Sequence, residues 1–121
     1  DRARTACYPF SSLKELPASL RESVFSESAG RYCLQSRYQR PVLLVAHDVR
    51  GPVPVSALHL ILCRNLVYTY YGEVLQREIT RSMAEALQPG GVLVIGSHET
   101  LPEAVPDFVC LPGMRGIYRK I

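Results

Sequence analysis

Two short polar clusters, Arg64-Asn65 and Ser97-His98-Glu99, each close an apolar run, and His47-Asp48-Val49 closes a third. An arginine holds a carboxylate through charge-assisted hydrogen bonds. An aspartate accepts well from an exocyclic amine, though Asp48 reads equally as a turn residue bonding its own backbone. Three tyrosines follow the arginine: Tyr68, Tyr70 and Tyr71. They suit either a pocket wall or packing between a helix and a sheet. His98 and Glu99 read as supporting residues rather than catalysts. His59 sits inside an apolar run and reads as a core or edge histidine.

These clusters need a frame to hold them. Ala57–Cys63 is apolar and bounded by turn residues, the pattern of a strand buried on both faces. From Glu73, Leu75, Ile79, Met83 and Leu87 recur every fourth position, with Gln76, Arg77, Arg81, Glu85 and Gln88 opposite. That spacing predicts an amphipathic helix of about four turns. Gln88-Pro89-Gly90-Gly91 ends it, and Val92–Ile95 is a second buried strand. Strand, helix, strand at this length predicts a right-handed parallel crossover. Ligands of such sheets bind beyond the carboxyl ends of the strands, where Arg64-Asn65 and Ser97–Glu99 fall.

Around this unit, Asp1–Arg4 resembles the last turn of a helix, and Tyr8–Ser12 a turn. Leu13, Leu16, Leu20 and Val24 space a helix that starts near Pro17 and runs to about Phe25. Ser26–Gly30 reads as a polar loop and Arg31–Gln35 as a short strand or hairpin arm. Pro41–Ala46 predicts a buried strand, and Gly51–Pro54 a stiff loop. Glu103–Asp107 reads as a loop. Asp107–Leu111 and Ile117–Arg119 read as two strands joined by Pro112–Gly116, an antiparallel edge.

With 121 residues, one domain with its own core is expected. The net charge of +3 is modest and the arginines are scattered, which disfavours a nucleic-acid partner. No apolar run reaches the roughly 20 residues of a membrane span, and no secretory pattern is present. Cys7, Cys33, Cys63 and Cys110 lie far apart, with no CxxC pair. Buried thiols of a cytoplasmic protein are expected, with neither a metal site nor a disulfide framework.

Leu60–Asn65, the helix, Leu87–Gly91 and Ile95–Leu101 together resemble the second half of the CheR-type methyltransferase domain. Ala3-Arg4, Cys7-Tyr8 and Ser12–Pro17 extend the resemblance over nearly the whole chain. That family methylates glutamate carboxylates of bacterial chemoreceptors with S-adenosylmethionine, leaving S-adenosylhomocysteine. The resemblance implies an α/β fold: a partial Rossmann-like class I methyltransferase sheet, mostly parallel, with a C-terminal antiparallel hairpin. It also implies a small inserted lobe at about 8–40 and a sheet core at 41–121. In some members that lobe docks a receptor-tail peptide.

Residue by residue, the resemblance places Asp48 and Val49 at the adenine end. Arg64 and Asn65 fall beside the methionine part and the reactive methyl. A family tyrosine falls at Thr69 by the commoner spacing and at Tyr70 by a variant one; Tyr70 is preferred. Arg64 and Tyr70 are the catalytic candidates. Asp48, Val49, Arg64 and Asn65 are the cofactor candidates. The sequence departs from the family at Leu58-His59, where Phe-Asp is common. No GxGxxG-like stretch or ribose-binding acid occurs in these residues, and the first cofactor-binding strand is not among them. The function implied is protein-glutamate O-methyl transfer by a domain impaired in cofactor binding when alone. The alternative is a non-catalytic, methyltransferase-like binding remnant in chemotaxis-type signalling. Expected partners are a protein glutamate carboxylate and, through an exposed sheet edge, a second copy of the chain.

Overall fold

A computed structural model describes residues 1–105 and 107–121. The chain divides into two compact units, Asp1–Ala46 and His47–Ile121.

In the first unit, helical turn α1 (Arg2–Thr5) leads into strand β1 (Cys7–Pro9) and a second turn, α2 (Phe10–Leu13). Helix α3 (Ala18–Val24) starts directly after Pro17, whose missing N–H is no loss there. Strands β2 (Phe25–Ser28) and β3 (Arg31–Leu34) form a hairpin, and α4 (Ser36–Gln39) follows. The turn between β2 and β3 places Ala29 and Gly30 at φ 51° and 74°. The sheet is antiparallel, in the order β1-β3-β2. Tyr8–Ser12 and Ser26–Gly30, expected as turn and loop, thus supply strand residues. β3 offers both of its edges, so short polar segments find backbone partners.

The register sets Cys7 opposite Cys33, and the two form a disulfide. This corrects the expectation of reduced thiols for that pair. Sequence distance hid it: 26 positions separate cysteines that the β1–β3 pairing makes neighbours.

The second unit holds β4 (Leu58–Leu62), the turn α5 (Val67–Tyr70), helix α6 (Glu73–Ala86), β5 (Leu87–Val94), β6 (Phe108–Cys110) and β7 (Ile117–Lys120). Its sheet runs β4-β5-β7-β6. β4 and β5 are parallel, joined through α6, while β5–β7 and β6–β7 are antiparallel. The α/β class is observed. A mostly parallel sheet is not: among the described residues, β4–β5 is the one parallel pairing.

The core lies between α6 and this sheet: Cys63, Val67, Ile79, Met83, Leu87, Leu93 and Ile95. Ile79 and Met83 face it from α6 as their four-residue spacing requires. Leu87, read as the helix's last apolar position, is instead the first residue of β5, opposite Leu58. The pairing shifts register between Leu58 and Leu60, across the Pro89–Gly91 segment. Lys120 donates to the carbonyls of Ala84 and Leu87, two acceptors that the end of α6 leaves open.

Two strand expectations change. Val42–Ala46 is not a strand; Leu43 is 78% exposed. A strand needs a neighbour to bond its N–H and C=O groups, and none of the described strands pairs with this run. β4 is not buried on both faces either. It is an edge strand, and Leu60 and Leu62, on the face opposite the core-packed Ile61, are exposed.

Candidate functional site

The carboxyl ends of β4 and β5 lie side by side, joined by the Cys63 N–H donating to the Val94 carbonyl at 2.8 Å. Immediately beyond them the chain turns twice. Asn65 takes a left-handed conformation, φ 55°, which asparagine tolerates better than most residues. Leu66 then leads into α5, and after β5 the chain runs on through Ile95 and Gly96 to the Ser97–Thr100 turn.

Glu99 binds these turns together. Its Oε2 accepts the N–H groups of Asn65 at 3.1 Å and Gly96 at 2.5 Å. Its Oε1 accepts the Thr69 hydroxyl at 2.6 Å. Partial burial raises the Glu99 pKa. The bonds from Thr69, Gly96 and Asn65, with the nearby Arg64 charge, outweigh that and hold it below the ordinary glutamate value. Gly96 leaves room for these two side chains. A Cβ would stand 2.5 Å from Asn65 Oδ1 and 2.6 Å from Glu99 Oε2.

An apolar groove of about 430 Å³ runs along the free edge of β4. Val49, Ile61, Leu66 and Met83 line it, with His47 and Arg64 as its polar members. The structure therefore brings Val49 and Arg64 to one groove, from a loop and a strand end. Asp48 is not among the lining residues. It is exposed and engaged by Arg50, which donates Nη2 to Oδ2 at 2.6 Å, Nε to Oδ1 at 3.0 Å and its backbone N–H to Oδ1 at 3.0 Å. These hydrogen bonds, the side-chain ones foremost, hold its carboxyl far below the usual range. Asn65 also stands apart from the groove lining, with its Oδ1 close to Gly96.

The three tyrosines separate. Tyr70 is 75% exposed on α5 and lines no part of the groove. Tyr71 is half-buried, and its carbonyl accepts from Gln76. Tyr68 turns inward to Thr80 Oγ1 at 2.7 Å, and Thr80 gives its own proton to the Gln76 carbonyl, so Tyr68 is the donor. Burial, foremost, pushes the Tyr68 phenol up to about 12. Thr69, the alternative to Tyr70 by the commoner spacing, is the residue tied to Glu99. Cys63 is buried, and burial raises its thiol pKa, so it is no ready nucleophile.

This arrangement fits a molecule with one flat apolar part and one charged end. The groove offers an apolar wall for a ring, and Arg64 offers donors to a carboxylate.

Comparison with known proteins bears on the same point. A family model described as the CheR methyltransferase, SAM-binding domain, matches residues 1–117. A chemotaxis protein methyltransferase of Listeria monocytogenes is 29% identical over 100 residues, covering 83% of this chain and 38% of that protein. Chemotaxis protein methyltransferase 2 of Vibrio cholerae is 31% identical over 104 residues, covering 83% and 36%. An uncharacterized 104.1 kDa protein in the hypE 3′ region of Rhodobacter capsulatus is 25% identical over 107 residues, covering 88% and 11%. The chain thus spans well under half the length of these relatives. No helix among the described residues is long and apolar enough to cross a membrane. The chain belongs to the CheR methyltransferase family, within the domain that binds S-adenosylmethionine.

Proposed function

We propose that these residues are the carboxyl-terminal half of a protein-glutamate O-methyltransferase domain, and that alone they hold the cofactor weakly. The observation that carries the reading is the Glu99-anchored turn, which sets Arg64 beside an apolar groove at the strand ends. The cofactor supplies an electrophilic sulfonium methyl. The acceptor glutamate is already ionised at neutral pH, so no strong base is needed. The chain's work is placement and exclusion of water.

Arg64 holds a carboxylate and Asn65 supports the cofactor's amino-acid end. Val49 packs on the adenine, and Asp48 accepts its amine once Arg50 yields an oxygen. Tyr70 closes over the methyl. The weakness alone follows from composition: these residues hold no glycine-rich loop and no ribose-binding acid.

Calorimetric titration with S-adenosylhomocysteine, repeated on Arg64→Ala, tests this. Weak binding lost in the variant is expected. Micromolar binding by the chain would overturn the claim of an impaired site. Binding untouched by Arg64→Ala would remove Arg64 from it.

A second reading, a non-catalytic binding remnant, draws support from the free edge of β4 with Leu60 and Leu62 exposed. An exposed apolar edge recruits another chain, here a second copy. The cytoplasmic setting expected for either reading draws no support from the Cys7–Cys33 bridge, a bond rare in that compartment.

A further inference from the structure

A polar pocket of about 330 Å³ lies beside the Ser97–Thr100 turn, with Ser97, His98, Thr100, Arg115 and Tyr118 in its lining. Its lining also includes Gly116, at φ 73°, where a Cβ would press 2.9 Å from the Ile95 carbonyl oxygen. Gly116 accepts the Ile95 N–H at 2.8 Å, so the β6–β7 turn is seated on the end of β5. The pocket is therefore built from two turns that the sheet fixes side by side.

The pocket's lining carries one cation, Arg115, and one anion, Glu99. Its acid is Glu99, and both of that carboxylate's oxygens already accept from Asn65, Gly96 and Thr69. Arg115 makes no ion pair among the described residues. Arg115, the His98 imidazole and the hydroxyls of Ser97, Thr100 and Tyr118 line the pocket, and the oxygens of its one acid are already taken by Asn65, Gly96 and Thr69. Such a set suits a carboxylate, which accepts forked donors from a guanidinium and single ones from hydroxyls. Glu99 lines this pocket and accepts the Asn65 N–H, so the pocket adjoins the Arg64–Asn65 turn.

We propose that this pocket is the acceptor-side subsite and takes an acidic side chain of the peptide being methylated, Arg115 pairing with its carboxylate. The inference rests on the methyl-transfer reading for its orientation, but its chemistry is separately testable.

The test is NMR titration of the 121-residue chain with the peptide acetyl-Ala-Glu-Glu-Ala-amide. The expected result is movement of the amide signals of Ser97–Thr100 and Arg115–Tyr118, weakening as salt is added. Arg115→Gln, an exposed change, should weaken binding about three- to ten-fold, the worth of one charge-assisted pair near the surface. The Gln-Gln analogue of the peptide should bind in neither protein. The inference is overturned if those amides stay still, if Arg115→Gln binds as before, or if the Gln-Gln peptide binds equally. Equal displacement of the same signals by inorganic phosphate would also overturn it, marking a general anion site. Arg64→Ala separates the two readings: lost S-adenosylhomocysteine binding there should leave the peptide shifts intact. If cofactor binding ignores Arg64 while the peptide shifts still depend on Arg115, the cofactor assignment falls and the pocket stands.

Discussion

The Glu99 carboxylate accepts the backbone N–H of Asn65 at 3.1 Å, across 34 positions of sequence. This one side chain ties the carboxyl end of β4 to the turn after β5, and it holds Asn65 in its left-handed conformation. Replacing it with glutamine keeps the shape and removes the charge. We expect Glu99→Gln to destabilise the fold by about 1–3 kcal/mol, the range for bonds to a charged acceptor. The dependence on pH has a definite sign. A carboxyl held below its ordinary value stabilises the fold above that value, 4.5, and loses the contribution as pH falls through the lower folded value. Urea midpoints should therefore drop below pH 4.5 in the parent chain and drop less in Glu99→Gln.

Gly96→Ala strikes the same place by volume. The added methyl collides with Asn65 Oδ1 and Glu99 Oε2. Both acceptors would have to move, so a loss of about 1–3 kcal/mol is expected. The check is a melt together with S-adenosylhomocysteine titration. An unchanged melt would mean the turn relaxes freely.

Tyr68 and Thr80 share a buried hydrogen bond, with Thr80 fully buried. Thr80→Val strands the Tyr68 hydroxyl and should cost about 1–3 kcal/mol. Tyr68→Phe combined with Thr80→Val should cost less than the two single changes summed. In an ultraviolet pH titration Tyr68 should ionise late, near 12.

The Asp1–Ala46 unit has little core. Ala6 is its one buried residue among those described. Its Cys7–Cys33 bridge closes 26 positions, which in the chain-entropy picture stabilises by roughly 3–4 kcal/mol. Reduction should open the sheet, seen as faster hydrogen exchange at the Tyr32–Leu34 amides. Exchange that ignores the reductant would show that the strands hold without the bridge.

The free edge of β4 gives the fifth expectation. Leu62 is 66% exposed there. Leu62→Lys places a charge on the edge and should suppress association that grows with concentration on a sizing column. A parent chain that stays monomeric at every concentration would sink this idea.

Local spacing of residues is enough to set the elements of the second unit. The fourfold spacing of Leu75, Ile79 and Met83 makes α6 wherever the chain sits, and Phe108–Cys110 and Ile117–Lys120 pair across a short glycine-bearing turn. Those signals lie within a few residues of one another, so a local reading suffices. It also put Arg64-Asn65 and Ser97–Glu99 at strand ends. Tertiary structure decided the rest. It made β4 an edge, left Val42–Ala46 unpaired, joined Cys7 to Cys33 and aimed Glu99 at Asn65, Gly96 and Thr69. Each of these depends on which distant segment supplies the partner. Apolar residues alike in type are buried or bared by the presence of a neighbour, and a backbone donor takes whichever carboxylate the fold brings within reach.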